Sequence, residues 1–223
     1  MYTTAKILSK TNKFKVSPEV TCGDHGFSMF NDAGTEVEVS EFLYSLVRML
    51  KPNYVLETGT HLGVSTSYIA QALKDNNKGS MITFEIIPEH YNNSKRMFSE
   101  MGLSNRIESC LCESLKYDIG DKVIDFLFLD SEPQLRFDEF IKYWDNVKPG
   151  GFIAIHDLHP SMGHHGQTYH GVYDWPYGDF REKLGPFLEN GDVQVMHFPT
   201  PRGLTLFQKI DPSFESYKYI WCK

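Results

Sequence analysis

Residues 53–66 read Asn-Tyr-Val-Leu-Glu-Thr-Gly-Thr-His-Leu-Gly-Val-Ser-Thr, and the fold turns on how this stretch is parsed. Tyr54-Val55-Leu56 is a short apolar run that reads as a buried strand ending at Glu57. Gly59 to Gly63 marks a loop, and Ile69, Ala72 and Leu73 then continue as a helix. Upstream, Thr35-Glu36-Val37-Glu38 has the spacing of a capping box, in which a hydroxyl and a carboxylate three residues on satisfy exposed backbone amides. Val39, Phe42, Leu43, Leu46, Val47 and Leu50 follow as one apolar stripe, so a lead-in helix is predicted over 35–51, stopped by Lys51-Pro52.

The same grammar repeats downstream. Met81 to Phe84 is a strand ending in Glu85, and Pro88 opens a helix that Gly102 closes. Arg106 to Leu111 is a third strand. Val123 to Leu129 is nearly continuous apolar sequence, the pattern of a strand covered on both faces, and it ends at Asp130. A helix bearing Phe137, Phe140, Ile141, Trp144 and Val147 leads to a turn at Pro149-Gly150-Gly151 and a fifth strand, Phe152 to Ile155, ending at His156-Asp157. After a polar and aromatic loop, a helix is predicted over 176–189. Val193–Phe198 and Leu204–Gln208 are then joined by only Pro199 to Gly203, too short for a parallel crossover, so these strands are antiparallel. The reading is an α/β fold: a doubly wound, mostly parallel seven-stranded sheet with an antiparallel last strand.

The 223 residues suit a single domain, with 1–34 as an N-terminal segment and 157–180 as an active-site loop. Acids outnumber bases 29 to 22, which argues against nucleic-acid phosphates as a partner. No run approaches the ~18 apolar residues of a membrane helix, and the opening residues lack the apolar core of a signal peptide. Four scattered cysteines (22, 110, 112, 222) without zinc spacing read as reduced thiols, so a soluble, cytoplasmic protein without membrane partners is expected.

In open parallel sheets, ligands bind beyond the carboxyl ends of the strands. Those ends here carry Glu57, Glu85, Asp130 and His156-Asp157. One such acid is often a helix cap or a solvated loop residue, but the ordered set points to a site. The loop from Glu57 to Ser65 is neither a G-x-G-x-x-G fingerprint nor a phosphate loop. A carboxylate at Glu85 suits the hydroxyls of a ribose, so a nucleoside without a pyrophosphate fits the pair.

Asn53–Ser67 with Glu85, Glu113-Ser114, Asp125–Asp130 and Lys148–Asp157 resembles the class I S-adenosylmethionine (SAM)-dependent methyltransferases, whose fold is Rossmann-like. More narrowly, Val39–Thr66 is similar to the small O-methyltransferases of the catechol and caffeoyl-CoA type and their sugar- and macrolide-modifying relatives. The likeness spans roughly residues 35–210. It implies that Glu57, Thr58, Gly59, Thr60, Gly63 and Ser65 hold the methionine portion of SAM, that Glu85 takes the ribose hydroxyls, and that Ile86 lies beside the adenine. Glu113 and Ser114 match the adenine-edge position. Asp130 matches an acid that binds magnesium in metal-dependent members and borders the cofactor, and Asp157 matches the second metal acid. The usual following asparagine is Leu158 here, with His156 and His159 flanking the acid, so a divalent cation, Mg2+ or a transition metal, is expected on Asp130, Asp157 and His159. Asp130-Ser131-Glu132-Pro133 departs from the box of the nitrogen-methylating relatives, which favours an oxygen acceptor.

Five of nine histidines fall between 156 and 170: His156, His159, His164, His165 and His170. A long loop at this position is usually a lid or binding loop. His159, His164 and His165 are candidates for the catalytic base, working with Asp130, and His156 is expected in the core or behind the reacting groups. Tyr169, Tyr173, Trp175 and Tyr177 either stack on a sugar or aromatic acceptor or pack the loop down. The expected function is methyl transfer to a hydroxyl of a small molecule. A nicotinamide-dependent oxidoreductase and a non-catalytic binding or scaffold protein are the competing readings. The C-terminal aromatics suit core or dimer contacts, which leaves a homodimer open.

Overall fold

A computed structural model describes residues 17–21, 28–29, 34–158, 177–198, 200 and 203–213. Two short strands, β1 (Ser17–Thr21) and β2 (Ser28–Met29), pair antiparallel in a segment whose sequence carries no strand periodicity. The main unit runs α1 (Val37–Leu50), β3 (Tyr54–Thr58), α2 (Val64–Asp75), β4 (Ser80–Glu85), α3 (Pro88–Glu100), β5 (Ile107–Leu111), β6 (Ile124–Leu129), α4 (Arg136–Tyr143), β7 (Val147–His156), α5 (Tyr177–Glu189), β8 (Val193–Phe198) and β9 (Leu204–Lys209). The seven-stranded sheet has the order β5-β4-β3-β6-β7-β9-β8, and β9 runs antiparallel to both its neighbours. The chain order reverses beside β3, so the ends of β3, β4 and β6 meet at the switch point where such sheets bind ligands.

Burial on both faces explains why β6 is apolar throughout. Phe126 and Phe128 pack with Leu43, Val47, Tyr68, Ile69 and Phe98 on the side of α1, α2 and α3. Leu127 and Leu129 point the other way, to Phe137, Phe140 and Tyr143 of α4 and Leu184 of α5. Each fully buried residue of this size contributes about 1.5–3 kcal/mol, so the two-sided packing fixes the register and with it the position of Asp130.

Three local readings change. The capping box does not form: the N-cap of the helix is Glu36, with no side-chain cap, and the Thr35 hydroxyl donates to Asp130 Oδ2 at 2.7 Å instead. Pro149-Gly150-Gly151 lies inside β7, because the ladder shifts between the pairs Ile124↔Val147 and Phe126↔Phe152 and the strand absorbs the extra residues as a bulge. The helix after β6 ends at Tyr143, and a 3-10 turn over Trp144–Asn146 carries the chain into β7.

Candidate active site

The loop after β3 is built around two buried supports. Gly59 has φ +82°, and a Cβ there would overlap the carbonyl of Asp130, so glycine is required by the close approach of the β6 end. Gly63, at φ +78°, leaves room for the Phe98 ring, which a Cβ would meet at 2.6 Å. Beneath the loop, Glu57 is fully buried and accepts from the hydroxyls of Ser65 at 2.7 Å, Thr83 at 2.7 Å and Thr66. Burial pushes its carboxyl up to about 7 against the pull of these hydroxyls, with the charge of Asp130 adding to the rise. Thr60 is tied to Thr83 at 2.6 Å between hydroxyl oxygens, and Ser65 is spent on Glu57. Several residues expected on the cofactor therefore brace the loop that would receive it.

At the end of β4, Glu85 turns its carboxylate to three backbone donors: His61 N–H to Oε2 at 2.6 Å, and Ile86 and Ile87 N–H to Oε1 at 2.9 and 2.8 Å. A carboxylate has about four acceptor positions, so Oε2 keeps capacity for a hydroxyl. Ile86, 59 % exposed, lies directly beside it as an apolar surface. Glu113 is exposed and pairs with Lys116 at 2.6 Å. The Ser114 hydroxyl donates to Glu139 Oε1, whose Oε2 also accepts from Thr58 and Ser131 at 2.8 and 2.7 Å. Burial raises the Glu139 carboxyl, and its three hydroxyl partners and Arg136 hold that rise in check.

The ends of β6 and β7 form a different arrangement. Asp130 and Asp157 come together with His156, their ligand-type atoms lying within 4.8 Å of one another. Asp157 adopts φ +52°, which breaks strand alternation and lets the side chains of adjacent residues reach one cluster. His156 is fully buried, with Nδ1 2.9 Å from Asp130 Oδ1 and 3.5 Å from Asp157 Oδ1, and Nε2 2.6 Å from Glu36 Oε2. Burial alone would lower the imidazole's pKa; the charges of Asp130, Asp157 and Glu36 overcome this and raise it to about 10, so the ring is a cation at neutral pH. Arg136 is also buried. Its Nη1 contacts Asp157 Oδ2 at 3.0 Å and the carbonyl of His156, its Nη2 contacts Asp130 Oδ1 at 3.2 Å, and its Nε–H donates to the carbonyl of Ser131 at 2.7 Å.

Two of the three expected metal ligands are thus side by side, but a guanidinium already spans them. The donor set as arranged does not fit a divalent ion, since an added ion would sit against a fixed positive charge. His159, His164 and His165 lie outside the described residues, as do His170 and the aromatic residues Tyr169, Tyr173 and Trp175. Reading strand ends alone missed Arg136, Glu139, Glu36 and Thr35. The available signal was in α4, where Arg136 and Glu139 flank Phe137 and Phe140 on a face that is buried.

Residues 56–158 match the family model described as a methyltransferase domain. Over that stretch, a little under half of the chain, the sequence is similar to methyltransferase domains. Among curated relatives, a protein provisionally named an O-methyltransferase in Mycobacterium sp. (strain JLS) is 26 % identical over 121 residues, covering 53 % of this chain and 54 % of that protein. The chain therefore spans about half the length of the curated relatives it matches. Of solved structures, the O-methyltransferase TomG of Streptomyces achromogenes, in complex with SAM and involved in tomaymycin synthesis, superposes with TM-score 0.67 at 18 % identity, covering 81 % of this chain and 83 % of that one. An O-methyltransferase of Bacillus cereus, in complex with S-adenosylhomocysteine (SAH), gives TM-score 0.62 at 19 % identity over 93 % and 90 %. These likenesses show the fold alone: a seven-stranded α/β sheet with an antiparallel final strand. Among the described residues no helix is long and apolar enough to cross a membrane.

Proposed function

We propose that the chain is a SAM-dependent O-methyltransferase whose acceptor is a hydroxyl of a small molecule. The observation that carries this is the meeting of the Glu57-braced loop, Glu85 with its remaining acceptor position, and Asp130 at one switch point of a methyltransferase domain. Glu85 Oε2 suits a ribose hydroxyl and Ile86 an adenine face, while Gly59, Thr60 and Gly63 line the approach to the methionine portion. Glu57, Ser65, Thr58 and Ser114 serve by fixing that loop and its neighbour. SAM, when bound, supplies an electrophilic methyl group on a sulfonium, and the net acidity of the rim suits that positive charge.

Transfer is an in-line displacement: the acceptor oxygen bonds to the methyl carbon, the carbon–sulfur pair returns to sulfur, and the hydroxyl proton passes to a base. The chain's contribution is alignment and deprotonation. The segment 157–180 leaves the cluster at Asp157, and its histidines, His159 foremost with His164 and His165, supply the base. No metal enters the sequence of steps. The proposal is tested by calorimetry with SAM, SAH and NAD, followed by SAH release in the presence of catechols, hydroxylated sugars and macrolides. SAM and SAH should bind and NAD should not. His159→Ala should lower kcat by about 100-fold without changing SAM affinity; heat from NAD alone would return the reading to an oxidoreductase, and heat from none to a scaffold.

A further inference from the structure

The arginine at the start of α4 stands where the family resemblance places an ion. Asp130 and Asp157 each give one carboxylate oxygen to a different terminal nitrogen of Arg136, at 3.2 and 3.0 Å, and all three side chains are largely or wholly buried. The same guanidinium is pinned by two backbone carbonyls, those of Ser131 and His156, one from each of the two strand ends it joins. A flexible surface arginine pairs with one acid and exchanges with water; this one is fixed from four sides, and its fork cannot lose its proton. His156 meets Asp130 from the other side through Nδ1, so the oxygen Asp130 would offer an ion, Oδ1, is already occupied by the Arg136 guanidinium and the imidazole ring. The remaining oxygen, Oδ2, accepts from the Thr35 hydroxyl.

We propose that Arg136 is the resident cation of this rim, standing between Asp130 and Asp157 in the place a divalent ion would take, so that the site binds no metal. The guanidinium does the positioning work that an ion would do. It holds the ends of β6 and β7 at a fixed separation and keeps Asp157 in its left-handed turn. An arginine gives no open coordination position, so it cannot ligate an acceptor oxygen or lower its pKa by direct bonding. A rim built this way leaves deprotonation to a side chain, which is the division of labour proposed above for the 157–180 histidines. The inference concerns metal binding only and stands or falls apart from the identity of the acceptor.

The test titrates the ligand-free chain with Mn2+ alone, followed by electron paramagnetic resonance of the free ion, and with Mg2+ alone by calorimetry. The unaltered chain should take up neither ion up to about millimolar concentration, where adventitious carboxylate sites begin to fill. Arg136→Ala, checked for folding by circular dichroism, should gain one Mn2+ per chain at least tenfold tighter than any uptake by the parent, and Arg136→Ala/Asp157→Asn should lose it. A gain of binding is not what simple destabilisation produces, so it separates a replaced cation from a merely structural arginine. Should Arg136→Ala not fold, Arg136→Gln, which keeps some of the hydrogen bonds without the charge, takes its place. One Mn2+ bound per unaltered chain and abolished by Asp157→Asn would overturn the proposal. So would a folded Arg136 variant that gains no site. Neither readout uses methyl transfer, so a chain inactive on every acceptor would still decide the question.

Discussion

At the ends of β3 and β4, Glu57 and Glu85 are held by neutral donors, three hydroxyls in one case and three backbone N–H groups in the other. At the ends of β6 and β7, Asp130 and Asp157 are held by Arg136 and His156, with Glu36 closing the cluster from below. The residue types and their places on the sheet are alike; the company differs. Neutral donors leave a carboxylate its charge, which is useful beside a cationic cofactor, but make its ionisation costly once buried. Cations cancel the charge and make each partner indispensable, because removing one strands the others in a dry interior. The first half therefore presents charge at Glu85 while keeping Glu57 buried near neutrality, and the second is built to be rigid.

The sharpest way to break this comparison is to delete a cation from the second half. His156→Leu removes a buried ring that faces Asp130 and Glu36, leaving the buried Glu36 without its cation and Asp130 with Arg136 alone, so it should cost about 3–5 kcal/mol in urea unfolding. A loss under about 1 kcal/mol would mean the acids find other partners and that the cluster is not charge-locked. In the first half the sign should reverse. Burial raises the Glu57 carboxyl in the folded chain from its ordinary value of 4.5 to about 7. The folded chain thus holds a proton that the unfolded chain has lost between these values, and the group's stabilising contribution is full below about pH 4.5 and gone once pH rises through about 7. Glu57→Gln should be more stable than its parent at pH 8, by roughly 1–3 kcal/mol, with the gap closing toward pH 5. Equal stability of the two chains across that range would show that the three hydroxyls hold the carboxylate ionised at no cost.

The parts of this arrangement that could be read from sequence are those with a period or a length constraint. Val123–Leu129 reads as a two-sided strand because Ile124–Leu129 is covered on both faces, and the linker Pro199–Gly203 fixes β8 and β9 as antiparallel because no crossover fits in it. Glu57, Glu85, Asp130 and Asp157 follow from the strand-end rule alone. The β1–β2 pair was illegible because two short polar strands have no periodicity to show. Arg136 and Glu139 were passed over because charges on a helix are taken for its solvent face, whereas α4 begins beyond the carboxyl end of the interior strand β6 and buries them. The positive φ of Asp157 is invisible in sequence, since nothing marks a non-glycine residue for it, and it is what brings His156 and Asp157 into one cluster.

Thr35 gives the smallest and most discriminating test, because the sequence offers it a rival task, the capping box with Glu38. As a capping box, the Thr35 hydroxyl would serve the amides of α1, and its loss would fray that helix whether or not Asp130 were present. In the structure it spans from the lead-in of α1 to Asp130, while Glu36 reaches His156, so the two residues fasten the helix to the charge cluster. Thr35→Val keeps the shape and removes the hydrogen bond, and should cost about 1 kcal/mol. The cost should vanish in the Asp130→Asn background, to the extent that the bond depends on the carboxylate, giving a coupling energy of about 0.5–1 kcal/mol in a double-mutant cycle. Additive effects with reduced helicity would restore the capping role. A clear coupling instead ties the helix that precedes β3 to the acids after β6 and β7, and makes the cation-held half of the rim the anchor against which the ends of β3 and β4 are set.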